Sequence, residues 1–119
     1  MPAPAPTSVF DINPNNKKKT FTGTTTGTYA VAARLYEGDG AFFDIINADA
    51  SYNMKYKIDV WPTAESTKSI PITAETTIAA IGSGNPTTNQ ACVRPFYCVE
   101  LSVKNGTGAC VYEIEGTKY

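Results

Sequence analysis

Strand-length runs broken by turn signals fill this sequence from Thr20 onward, and no stretch sustains the 3.6-residue period of an amphipathic helix. Thr, Val, Ile and aromatic residues supply most of the run positions, as a pleated, half-buried surface requires. The pattern predicts strands over 20–24, 28–36, 41–47, 52–61, 69–73, 76–81, 92–104 and 109–115. Gly38-Asp39-Gly40 and Gly82-Ser83-Gly84-Asn85-Pro86 are the clearest breaks between them. A chain of 119 residues supports one core of this kind, a sandwich or barrel. Residues 1–19 stand apart as an extended N-terminal arm, with alternating Pro and Ala at 2–6 and Lys17-Lys18-Lys19 at its end; residues 20–119 form the single β-domain.

Two runs show how side chains divide between faces. Along 52–61, Tyr52, Met54, Tyr56, Ile58 and Val60 share one side, while Asn53, Lys55, Lys57 and Asp59 share the other, so one face is core and one is wet. Along 41–47, Phe43 and Ile45 lie on one side and Phe42 and Ile46 on the other. Such a strand is either covered on both faces or presents one to another subunit. In the arm, Val9, Phe10 and Ile12 form a short apolar patch that either packs on its own domain or docks on a neighbour.

The last two runs suggest a hairpin across Asn105-Gly106-Thr107-Gly108. In that register Lys104 faces Ala109, Val103 faces Cys110, Leu101 faces Tyr112 and Val99 faces Ile114, all six apolar residues on one side. The other side sets Cys98 opposite Glu115 and Glu100 opposite Glu113. Facing carboxylates repel, so a cationic group is expected beside Glu100 and Glu113: a Lys or Arg of the same chain, a neighbouring subunit, or a divalent cation.

The sequence contains no histidine, which removes the usual general base near neutral pH and any Ser-His or Cys-His nucleophile pair. The three cysteines, Cys92, Cys98 and Cys110, are too widely spaced for a CxxC pair and, without an export signal, are expected as buried free thiols. No phosphate-cradling loop follows a strand, so the chain is expected to be no enzyme and to need neither cofactor nor metal. Ten basic and eleven acidic side chains leave no positive field for nucleic acid, and no run of about 18 apolar residues exists to cross a membrane. Trp61, followed by Pro62, marks a strand end, where its ring either packs at the core edge or stacks against a ligand such as a sugar.

A Pro/Ala-rich arm at 2–6, a Thr-rich β-body, no histidine and no catalytic motif together resemble the small head-decoration, or cement, proteins of tailed bacteriophages. The resemblance is one of general character over the whole chain. It implies an antiparallel β-sandwich, jelly-roll-like, with an immunoglobulin-like sandwich as the alternative. It further implies a structural virion protein, made in the host cytoplasm and placed on the capsid exterior. Its partners would be the major capsid protein lattice and further copies of itself. Val9, Phe10, Ile12, Phe42 and Ile46 are the residues suited to those contacts, with Glu100 and Glu113 as further interface candidates. A carbohydrate- or receptor-binding module of a fibre or adhesin, using Trp61, is the competing expectation, and a small self-assembling coat subunit is a third.

Overall fold

Alternating burial resolves into eight strands in the computed structural model, which describes residues 3–5 and 17–119. They are β1 (Lys18–Thr24), β2 (Ala30–Gly38), β3 (Ala41–Asn47), β4 (Met54–Trp61), β5 (Ile70–Ile78), β6 (Thr87–Cys92), β7 (Phe96–Asn105) and β8 (Val111–Lys118). Two four-stranded sheets result, in the orders β1-β8-β3-β6 and β2-β7-β4-β5, and every neighbouring pair is antiparallel. The first half of the chain folds back on the second, and successive pairs fall in alternate sheets. That wrapping is a jelly roll, and it decides against the immunoglobulin-like order.

The core lies between the sheets. Phe21, Phe43, Ile45 and Ile114 from one meet Leu35, Tyr56, Ile58 and Leu101 from the other. The predicted β3 and the end of β4 match the observed strands. Elsewhere the boundaries differ for physical reasons. The runs at 69–73 and 76–81 are one edge strand, β5, which passes through Ala74 and Glu75 without a turn and carries Pro71 where an edge tolerates a missing donor. The run at 92–104 is two strands, because the chain bends at Val93–Pro95 between β6 and β7. Most of β6 is polar and half-exposed, so it carries little hydrophobic signal.

The expected 99–114 hairpin does not form. β7 pairs with β2 and β4, whereas β8 pairs with β1 and β3 in the opposite sheet. Val99, Leu101 and Val103 and their expected partners Cys110, Tyr112 and Ile114 do share one environment, but they meet across the core rather than along a ladder. The pairings of Lys104 with Ala109, Cys98 with Glu115 and Glu100 with Glu113 fail with the register. Alternation specifies which face is buried, not which strand lies beside it. At Asn105–Gly108 the chain crosses between sheets: the Gly106 and Thr107 amides donate to the Asn53 carbonyl at 2.8 and 3.2 Å. A Cβ on Gly106 would stand 2.6 Å from that oxygen, so the crossing needs glycine there.

All three cysteines are free and buried. Burial raises each thiol above its ordinary value of 9.0, Cys98 to about 12 with the charge of Glu100 as the next cause. Folded protein therefore retains protons that the unfolded chain releases. The stability these thiols contribute is complete below the ordinary thiol value and is lost as pH rises from there towards the folded value. Lys118, whose buried ammonium donates to the carbonyls of Tyr36 and Glu37, is shifted downward by burial and opposes this trend. Urea midpoints should fall between about pH 8 and about pH 10.5, and Cys98→Ala should flatten the fall. Equal slopes in the two proteins would contradict a sealed Cys98.

Candidate interaction surfaces

Each sheet turns one face outward, and the two faces differ in chemistry. On the β1-β8-β3-β6 sheet, cross-strand rows run Lys18, Thr117, Phe42, Ala91; then Thr20, Glu115, Asp44, Asn89; then Thr22, Glu113, Ile46, Thr87. Phe42 and Ile46 thus point away from the core, half-buried among Thr, Asn and carboxylates, on a strand whose other side is sealed. Asp44 sits directly opposite Glu115. The Lys18 ammonium approaches both, at 3.9 and 3.5 Å, but Lys18 is exposed and each carboxylate more than a third so, and at these distances the pairs add little stability. Glu113 is exposed beside Ile46. A depression of about 450 Å³ lies at the β3–β6 end of this face, lined by Asp44, Ile46, Asn85, Thr87, Asn89 and Glu115.

On the β2-β7-β4-β5 sheet the outward rows run Tyr36, Cys98, Trp61; then Arg34, Glu100, Asp59; and further on Lys104, Lys55 and Thr77. The Arg34 Nε donates to Glu100 Oε2 at 2.9 Å, with side chains only 19% and 15% exposed. The cationic partner expected beside Glu100 is therefore an arginine of the same chain, on the adjacent strand. At the far end the Lys57 and Lys104 ammonium groups lie 4.5 and 5.3 Å from the centre of the Tyr29 ring. The Tyr29 hydroxyl in turn donates to Glu75 at 2.6 Å. That hydrogen bond holds the Glu75 carboxyl below its ordinary range.

The candidate residues consequently separate. Phe42, Ile46 and Glu113 share one outer face, whereas Glu100 and Trp61 belong to the opposite one, and Val9, Phe10 and Ile12 lie outside the described residues. Trp61 is half-buried at the strand end, and its Nε1 is enclosed without a hydrogen-bond partner among the described residues. Sequence reasoning missed the Tyr36–Cys98 pair beside it. The signal was present in the parity of β7: Cys98 is one residue out of step with Val99, Leu101 and Val103, yet apolar.

No family model matches the chain, and a search of curated proteins finds no match. Its fold has known counterparts. PirA superposes with a TM-score of 0.57 at 12% identity, covering 90% of this chain and 97% of that one. The Yersinia pseudotuberculosis-derived mitogen YPM gives 0.57 at 12% identity, covering 87% and 86%. The infectious bursal disease virus VP2 subviral particle also has a similar chain, at a TM-score of 0.42 and 9% identity, covering 98% of this chain but 38% of that one. At these identities the first two establish a shared β-sandwich fold and leave function open. Among the described residues, no group of three or more His, Cys, Asp or Glu is placed to hold a metal ion, and no helix is long and apolar enough to cross a membrane.

Proposed function

We propose that this protein is a structural component of a virion, attaching to the outside of a phage capsid and reinforcing it through contacts between subunits. The observation that carries this reading is the outward placement of Phe42 and Ile46 on β3, two strands in from one edge of the sheet and one from the other. Large apolar groups on the exposed side of an internal strand gain nothing from the protein's own core. They become useful when a second surface covers them, by roughly 25 cal/mol per Å² of apolar area buried. The surrounding Thr, Asn and carboxylate groups supply a polar rim of the kind found around interface cores. A capsid offers that second surface many times over, so modest contacts sum to firm attachment without a specialised pocket. The absence of histidine from the sequence accords with a non-catalytic role.

The test is co-sedimentation with purified capsids. The wild-type chain should pellet with the particles. The Phe42→Asp/Ile46→Asp variant should remain folded by circular dichroism, since both positions face outward, and should stay in the supernatant. Undiminished pelleting of the folded variant would refute this face as the contact. A wild-type chain that ignores capsids but binds a glycan array, with binding lost in Trp61→Ala, would instead support a carbohydrate-binding module.

A further inference from the structure

Tyr36 and Cys98 point out of the sandwich, lie outside the hydrophobic core cluster, and are nevertheless 0% exposed. A residue of the arm reaches Tyr36: the Tyr36 hydroxyl donates to the Ala5 carbonyl at 3.1 Å, and Ala3 and Pro4 are themselves half-buried. The Tyr97 ring stands edge-on to Tyr36, with centres 5.7 Å apart at 79°. Trp61 completes the same outward row, two strands from Tyr36, with its indole N–H enclosed and without a partner among the described residues. Tyr36, Tyr97, Cys98 and Trp61 thus make a shelf with aromatic walls and two inward-set donors.

Ala3-Pro4-Ala5 belongs to a run of sequence that alternates Pro and Ala from Pro2 to Pro6. Such a chain favours the polyproline II conformation, which leaves its carbonyls free because it has no internal hydrogen bonds. Its three-residue repeat is about 9.3 Å, and two strand spacings are about 9.6 Å. A segment crossing the strands therefore presents carbonyls at the spacing that separates the roots of Tyr36 and Trp61. Aromatic grooves that bind preformed proline-rich segments work on this principle, since little chain entropy is lost on docking. Residues 6–16 connect Ala5 to Lys17, and eleven residues reach at most about 36–40 Å. That reach is comparable with the longest dimension of the molecule, 41 Å. β1, where the arm joins the body, belongs to the sheet opposite the shelf. The eleven residues between Ala5 and Lys17 have the length to bring Ala3-Pro4-Ala5 to a neighbour's shelf as well as to its own.

We propose that the shelf of Tyr36, Tyr97, Cys98 and Trp61 is a receptor for proline-rich extended chain, and that in the assembled protein its occupant is the Ala3-Pro4-Ala5 segment of a second copy. The contact seen within one chain is reproduced between chains, the condition for exchange of an identical element. This inference deepens the assembly half of the proposed function. It is tested without any capsid, so either can fail alone.

Trp61 is the sole tryptophan and lies on the shelf, so its emission reports occupancy. The full chain should sediment as an oligomer that dissociates on dilution with Trp61 emission unchanged, because each released arm returns to the shelf of its own chain. Pro4→Asp, which alters the arm and leaves the sandwich intact, should be monomeric with red-shifted emission at every concentration. Tyr36→Phe, which removes one hydroxyl, should weaken association about five- to tenfold. A wild-type monomer at all concentrations overturns the proposal. So does an oligomer indifferent to Pro4→Asp, or Trp61 emission in Pro4→Asp identical to that of the wild type.

Discussion

Truncating Phe43 to alanine is expected to cost about 3–5 kcal/mol of stability, a large share of the roughly 5–15 kcal/mol that a domain of this size possesses. Phe43 is 0% exposed on an internal strand, between Gly116 of β8 and Gln90 of β6. A Cβ on Gly116 would come within 3.2 Å of the Phe43 ring and 3.3 Å of Leu35, so the glycine is what lets the ring lie flat across β8. Removing a phenyl group from a fully buried site leaves a cavity, whose penalty adds to the lost transfer energy. Phe42, the preceding residue, faces the other way. Its replacement by alanine should cost less than about 1 kcal/mol, because a half-exposed ring loses only part of its burial energy. Urea denaturation of both variants checks the pair: a midpoint lowered far more for Phe43→Ala confirms the parity of β3. Equal losses would mean that Phe42 is already covered within the monomer, and would remove the apolar contact face from the proposed function.

That comparison also shows what was legible in the sequence. The outward placement of Phe42 and Ile46 follows from period-two alternation and needs no knowledge of neighbours, so it could be read directly. The same holds for Val99, Leu101 and Val103, and for Tyr112 and Ile114, whose burial was foreseen even though their ladder was not. Strand pairing is different in kind. It depends on which long-range partners compete for each edge, and in a jelly roll a strand's sequence neighbour across a short loop belongs to the other sheet. The Asn105–Gly108 loop carries hairpin residues but serves as a crossing, because β2 and β4 occupy both edges of β7. β6 escaped notice because an exposed edge strand of Thr, Asn and Gln carries almost no apolar signal. The aromatic shelf was hidden for a third reason. Tyr36, Cys98 and Trp61 lie far apart in sequence, and only the pairing of β2, β7 and β4 sets them in one row.

Glu100 is where the missing information matters most for energetics, and Glu100→Ala should destabilise the protein by about 2–3 kcal/mol. Read from the sequence, Glu100 is a surface carboxylate in need of a partner. In the fold it accepts a 2.9 Å hydrogen bond from Arg34 with less than a fifth of either side chain exposed. Truncation takes a close carboxylate away from a guanidinium that is only 19% exposed, a larger penalty than the roughly 0–1 kcal/mol that an exposed pair contributes. The double replacement Arg34→Met/Glu100→Leu removes both charges while keeping similar volume. It should recover stability to within about 1 kcal/mol of the parent, and the resulting cycle isolates the coupling between the two. A second readout separates this electrostatic account from simple loss of packing. The Glu100 charge is the second cause, after burial, that pushes the Cys98 thiol up to about 12. Glu100→Ala should therefore bring that thiol down and allow Cys98 to be alkylated at a lower pH in the native state, whereas Glu100→Gln should do the same with a smaller loss of packing. If Glu100→Ala costs less than about 0.5 kcal/mol and leaves Cys98 alkylation unmoved, the pair behaves as an exposed one. In that case Glu100 remains available for the contact between subunits that its sequence position first suggested.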